Sequence, residues 1–351
     1  MRAALLGRIH PHSPLLLATL ERLPEVTAID RWDEAPGNPQ APAFAAARKP
    51  GRTTGSLEEI LAQKDLAFAV VCVRSDLADA VARRVLEAGR HLLAEKPVAL
   101  APSAILDLHH AARRAGVVAS VLYTRRFHPC MEAARQLVQS GAIGPLLAME
   151  ARFLTTQVQF RDPTSWLFRR DQAGGGIVSW LGCHCLDLLH HVSGDEVTEV
   201  GATYATLSGA AIDVEDQASL SLRFRSGAVG SFLAGYTLAF SGAGYANLAG
   251  YDSYLAFHGL RGRVVWPDLE PRLVIETAPA PGQSPRREEK FDLPDSPTYG
   301  GAAGDAFFRR FFAALRGEAA PPTTLADAAR TARIVAAAAE SASHRQFVRI
   351  D

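Results

Sequence analysis

The stretch "EAGRHLLAEKPVAL", residues 87–100, decides how the first third of the chain is read. Gly89 ends a helical run, "HLLA" is a short apolar strand, and Glu95-Lys96-Pro97 falls at the carboxyl end of that strand. Working outward, "RAALL" (2–6), "VTAID" (26–30), "AFAVVCV" (67–73), "HLLAE" (91–95) and "VVASVLY" (117–123) read as buried strands. Between them "PLLLATLERL", "SLEEILAQ", "LADAVARRVLEAG" and "SAILDLHHAARRAG" repeat with a period near 3.6. This alternation implies right-handed βαβ crossovers and a doubly wound parallel sheet over residues 1–124. Such sheets bind ligands at the carboxyl ends of their strands.

The pattern changes after about residue 125. An amphipathic helix at 129–140, a strand-like "PLLAMEARFLTTQVQF" and "GGG" at 174–176 lead into a second helix. Beyond 197 alternating strands dominate, including "QASLSLRFRSGAVGSFLAGYTL", where Ser226-Gly227 is a tight hairpin turn, and "SYLAFHGLRGRVVW". Helices near 302–316 and 323–342 close the chain, residues 279–301 read as loop or edge, and Ala35 to Arg52 is a long Pro/Ala-rich connection. A second, α+β domain over 125–351 is expected, in keeping with a length of 351 residues at roughly 150 per domain.

Charge and composition narrow the partners. With 37 basic and 37 acidic residues, and no Lys/Arg cluster interleaved with aromatics, the footprint of a nucleic-acid binder is missing. The first apolar run is too short for a signal sequence or a membrane span, so a cytoplasmic enzyme with no membrane partner is expected. Cys72, Cys130, Cys183 and Cys185 make no disulfide framework and read as reduced packing thiols. No metal is expected, because on a helix Cys183, His184 and Cys185 point in different directions.

Three segments carry chemistry. Lys96, one of only four lysines, can hold a substrate hydroxyl or share its proton, and Glu95 can accept from a ribose hydroxyl; a solvated Glu-Lys pair is the plainer alternative. In "GGGIVSWLGCHCLDLLHH" (174–191), helical spacing places Trp180, His184, Asp187 and His191 on one face. His184 is suited to shuttle a proton and Asp187 to fix its tautomer or bind a hydroxyl, against the plainer reading of a buried histidine capped by an aspartate.

The third segment is "ALLGRIHPHSPLLL", Ala4 to Leu17. Only Gly7 stands where a dinucleotide-binding loop carries three glycines, with Ile9 and His12 at the other two places. A β-branched Ile9 is expected to push phosphates off the backbone, leaving them to Arg8, His10, His12 and Ser13 side chains and to a helix start with Ser13 as N-cap and Pro14 first. Asp33, ending the second strand, suits adenosine ribose hydroxyls and hence NAD, while Arg31 or Arg74 keeps NADP possible and Trp32 can line an adenine pocket.

"EAGRHLLAEKP", "RRFHP" (125–129), "GGG", "GCHCLD" (182–187) and a last helix ending in "ESASHRQFVRI" together resemble the Gfo/Idh/MocA family of NAD(P)-dependent sugar and cyclitol oxidoreductases. The resemblance implies an N-terminal Rossmann domain. It also implies a C-terminal α+β domain with a large open, mostly antiparallel sheet that commonly forms a homodimer or homotetramer interface. It puts Lys96 and His184 beside the nicotinamide, with Asp187 completing the motif. Tyr123, Arg126 and Trp166 with Arg169 or Arg170 are implied at the substrate, together with the glycine-rich loop 241–254. The chain departs from the family at Arg74-Ser75, where T-P-N is frequent on the cofactor edge, and at Trp180, where an aspartate is frequent. The implied reaction is hydride transfer between NAD and a hydroxyl or carbonyl of a sugar, inositol or related polyol. Its rivals are a family glycosidase using transient oxidation and a non-catalytic ligand sensor.

Overall fold

A computed structural model of the chain describes residues 1–35, 44, 48–239, 250–277 and 285–350. The chain divides into two compact units, Met1–Thr124 with Pro294–Arg330, and Arg125–Leu293 with Thr331–Asp351.

The first unit is built on β1 (Arg2–Leu6), β2 (Ala28–Trp32), β3 (Thr53–Thr54), β4 (Leu66–Val71), β5 (His91–Ala94) and β6 (Ala119–Val121). All pairings are parallel, and the order β3-β2-β1-β4-β5-β6 reverses direction between β1 and β4, the place where such sheets open a crevice. Ala3 to Leu6 of β1 are fully buried, as a strand covered on both faces requires. The crossovers are α1 (Ser13–Arg22), α2 (Leu57–Leu61), α3 (Ser75–Glu87) and α4 (Pro102–Ala115). Two threonines carry no periodicity, so β3 is not visible in the sequence.

The second unit starts with α5 (Pro129–Gln139) and β7 (Leu146–Thr156) and continues through α6 (Arg170–Ala173) to α7 (Cys183–Ser193). A π turn over Val178–Gly182 precedes α7. Then come β8 (Val197–Ala205), β9 (Gln217–Phe224), β10 (Val229–Leu238), β11 (Tyr251–Gly259), β12 (Gly262–Trp266), β13 (Arg272–Thr277) and β14 (Arg286–Lys290). After α8 (Gly301–Leu315) and α9 (Leu325–His344), β15 (Val348–Arg349) completes a nine-stranded sheet in the order β14-β13-β12-β11-β7-β10-β9-β8-β15. Only β7 and β10 pair in parallel. In β9, buried and exposed residues alternate strictly, so one face is covered and the other open.

On sequence, 125–351 form one domain, whereas Pro294–Arg330 cluster with the first unit. The reason is apolar: Phe311 and Phe312 of α8 set their rings edge-on to Phe68 of β4, with centroids 5.5 and 5.9 Å away. Thr323 is tied to β6 through Ser120 and the Val121 amide. Residues 36–43 and 45–47 of the long connection and 241–249 of the glycine-rich loop lie outside the described residues. Among those described, no helix is long and apolar enough to cross a membrane.

His128 shows how local sequence fixes an element and its pH response. As N-cap of α5 its Nδ1 accepts from the Cys130 amide at 3.3 Å, and its ring lies 4.6 Å from that of Trp266. Burial, assisted by the Arg125 charge, pushes the imidazole down to about 4. A base whose pKa is depressed on folding gives stability that is complete above its unfolded value, near 6.5, and lost as pH falls towards 4. Replacing it by Asn, a good cap that does not titrate, is expected to remove up to about 3 kcal/mol of acid destabilisation between pH 7 and 4, read from urea midpoints of wild type and His128→Asn.

Candidate active site

At the switch point the chain leaves β1 through Gly7, whose φ of +111° is open to glycine. A Cβ there would lie 2.3 Å from the Cys72 carbonyl oxygen, so close approach demands glycine as well. The Gly7 amide donates to Trp32 O at 3.1 Å, tying the loop to the end of β2. Ser13 does not cap α1 as expected: His12 is the N-cap, and the Ser13 hydroxyl donates to Gly7 O at 2.9 Å and Cys72 O at 3.3 Å.

His12 and Glu95 are both buried and meet at 2.9 Å through Nδ1 and Oε1. The Tyr299 hydroxyl lies 3.0 Å from the same nitrogen, and the Lys96 amide donates to the other Glu95 oxygen. Burial works to raise the Glu95 carboxyl, but His12, with Lys96, outweighs it and holds Glu95 well below the usual carboxylate range. Glu95, expected at a ribose hydroxyl, is therefore an internal anion beside Lys96. Lys96 itself is only 1% exposed, follows β5 directly, and is joined to Pro97 by a cis peptide. His10, Nδ1 bonded to the His12 amide, is kept neutral chiefly by burial. A nitrogen from each imidazole and a Glu95 oxygen lie within 4.8 Å of one another; His12 and Glu95 are bonded to each other, and His10 Nδ1 accepts from the His12 backbone amide. Tyr123 follows β6 at the same edge and is buried.

The loop amides hold an anion of the protein's own. Glu34 accepts from Arg8 N at 3.0 and 2.8 Å through its two oxygens and from Ile9 N at 2.9 Å. The β-branch of Ile9 thus does not keep an anion from its own amide. Side chains contribute differently from expectation: Arg8 Nε pairs with Asp33 at 2.6 Å, and His12 and Ser13 are spent inside the fold. Arg74 is locked to Asp76 at 2.7 Å, and Ser75 is buried at the start of α3. Neither Glu34 nor Tyr299 is among the residues expected from sequence; the amides that engage Glu34 carry no side-chain signature, and Tyr299 is 287 positions from His12.

In the second unit Arg126 and Asp187 form a buried bidentate pair, with Nε at 2.8 Å from Oδ2. Asp187 therefore orients against a guanidinium, and Arg126, expected at the substrate, supports the helix that carries His184. The π turn breaks the α-helical spacing assumed between Trp180 and His184. Trp180 instead stands edge-on to Trp166, with ring centroids 5.9 Å apart, and both are buried. Arg169 and Arg170 bond to Ala211 O and Asp213 O, fastening the segment before the glycines.

Glu215, also unforeseen, fixes the entry to the π turn. Its carbonyl accepts from Ile177 N at 3.2 Å and its carboxylate from Val178 N at 3.3 Å. A Cβ on Gly176 would lie 1.9 Å from that carbonyl oxygen, which explains a glycine here. Burial lifts the Glu215 carboxyl above its usual range despite these amides. None of the four cysteines forms a disulfide, all are buried, and burial pushes the Cys185 thiol up to about 12.

Residues 17–123 match a sequence model described as an oxidoreductase family with an NAD-binding Rossmann fold, and residues 131–265 match the GFO/IDH/MocA C-terminal domain. The chain is 27% identical over 280 residues to levoglucosan dehydrogenase of Pseudarthrobacter phenanthrenivorans, covering 72% of this chain and 68% of that protein. It is 29% identical over 206 residues to 1,5-anhydro-D-fructose reductase of Ensifer adhaerens, covering 58% and 60%. Levoglucosan dehydrogenase in complex with NADH and L-sorbose superposes with a TM-score of 0.84 at 21% identity, covering 100% of this chain and 99% of that one. An oxidoreductase domain protein from Kribbella flavida gives a TM-score of 0.84 at 23% identity, covering 100% and 99%.

Arg126→Met is expected to strand the Asp187 charge and lower stability by about 3–5 kcal/mol. Arg126→Met with Asp187→Asn is expected to recover much of that loss, and chemical denaturation of the two variants measures the difference.

Proposed function

Because the chain belongs to the GFO/IDH/MocA family of oxidoreductases, we propose that it transfers hydride between NAD and a hydroxyl or carbonyl carbon of a sugar-like polyol. Lys96 is the observation that carries this reading: a buried lysine at the carboxyl end of β5, next to a carboxylate that stays charged. Levoglucosan and 1,5-anhydro-D-fructose, the substrates named for the two relatives, put anhydro-sugars at the head of the candidates.

The loop after β1 fits a dinucleotide, since its amides already hold an anion and Gly7 allows close approach. The Arg8 and Ile9 amides would take the diphosphate and Asp33 the adenosine ribose hydroxyls. NAD, when bound, supplies the hydride acceptor. Lys96 Nζ or an imidazole nitrogen of His184 takes the hydroxyl proton, and the other donates to the oxygen as it changes charge. The buried Trp166–Trp180 pair gives the segment before the His184 helix a rigid apolar wall, and the Arg126–Asp187 pair keeps that helix in place.

Nicotinamide absorbance over a panel of anhydro-sugars, sugars and inositols is expected to show turnover with NAD. Lys96→Met is expected to cut kcat by about 10²–10⁴ with NAD binding kept within a few-fold, and unchanged turnover would remove Lys96 from the chemistry. NADH formed in proportion to product separates net oxidation from a glycosidase that oxidises only transiently.

The open face of the nine-stranded sheet supports self-association. Val229 and Leu233 of β10 are 53% and 46% exposed, beside Ser219, Ser221 and Arg223 of β9. A homodimer or homotetramer through this face is expected, and Val229→Lys with Leu233→Lys should shift the mass seen by light scattering towards the monomer.

A further inference from the structure

Glu34 sits two residues beyond the end of β2, half-buried, with both carboxylate oxygens on the loop after β1. Three hydrogen bonds of 2.8–3.0 Å bring two consecutive backbone amides onto this one anion. Successive amides turned towards one point form an anion nest, a group of donors with no preference for carboxylate over phosphate. The neighbouring acid, Asp33, is compensated separately by Arg8, whose terminal nitrogen also donates to Ala35 O. Glu34 is thus the acid that these amides serve.

We propose that Glu34 is a built-in occupant of the phosphate seat, which a dinucleotide must displace before its diphosphate can reach the Arg8 and Ile9 amides. This rests on the NAD reading above and deepens it. A carboxylate and a diphosphate repel each other and cannot share two N–H groups, so binding the second expels the first. Expulsion costs Glu34 its three amide hydrogen bonds, offset by solvation as the half-buried side chain swings into water. Its standing competition weakens cofactor binding and speeds release. The cofactor then behaves as an exchanging co-substrate, which suits net oxidation or reduction and not a permanently held redox group.

Calorimetric titration of the full chain with inorganic pyrophosphate, and separately with NAD, tests this on wild type, Glu34→Ala and Glu34→Gln. Glu34→Ala is expected to bind pyrophosphate roughly tenfold more tightly, with Glu34→Gln in between because its amide oxygen is a weaker, uncharged acceptor. NAD affinity is expected to rise in the same order, and NADH release, followed by fluorescence, to slow. Pyrophosphate affinity that is unchanged or lower in Glu34→Ala, or undetectable in all three proteins, overturns the proposal. If pyrophosphate responds as expected and NAD binds none of them, the NAD reading fails and the seat stands. A thermal melt of each variant equal to wild type shows that a lost fold is not what is being measured.

Discussion

The bare Cα of Gly7 is the point on which the carboxyl edge of the parallel sheet depends. There the chain must turn under the Cys72 carbonyl with no room for a Cβ, while its amide stays bonded to Trp32 O. Once that turn is made, Ser13 reaches both Gly7 O and Cys72 O, α1 starts over the switch point, and His12 comes to Glu95. The second and third glycines of the usual loop are dispensable in comparison, because the amides at positions 8 and 9 present themselves to an anion whatever side chains they carry.

Charge within the two units is divided between two kinds of base. Arginines take the structural pairs, their planar forks matching carboxylates at Asp187, Asp76, Asp252 and Glu276. A guanidinium never gives up its proton under these conditions, so it can brace but not shuttle. The one lysine of the edge, Lys96, is a compact cation whose proton is exchangeable, and it is the base placed next to the Glu95 anion.

The parallel sheet was legible because each strand carries its own apolar run and each crossover its own 3.6-residue period. The placement of Lys96 after β5 and of His184 in α7 is legible because each motif is local. What escaped is what depends on distant backbone. The π turn before α7 has no compositional mark, so Trp180 and His184 were placed on one face by a spacing that the turn changes. Glu34 and Glu215 act on amides, which have no sequence identity, and the Ser13 hydroxyl goes to carbonyls at the ends of β1 and β4, which a local cap pattern does not reveal. The membership of α8 turned on Phe68, some 240 positions earlier, and amphipathicity tells that a helix needs a partner without telling which.

That last contact has a consequence during synthesis. The first unit takes in Pro294–Arg330, so the surface around Phe68 has no cover from Phe311 and Phe312 when residue 124 leaves the ribosome. About 200 further residues must be translated first, a delay of about 10–40 s at ordinary elongation rates. Throughout it Phe68 lacks the two rings that pack on it in the finished fold. Both units therefore wait for late sequence, the first for Pro294–Arg330 and the second for Thr331–Asp351.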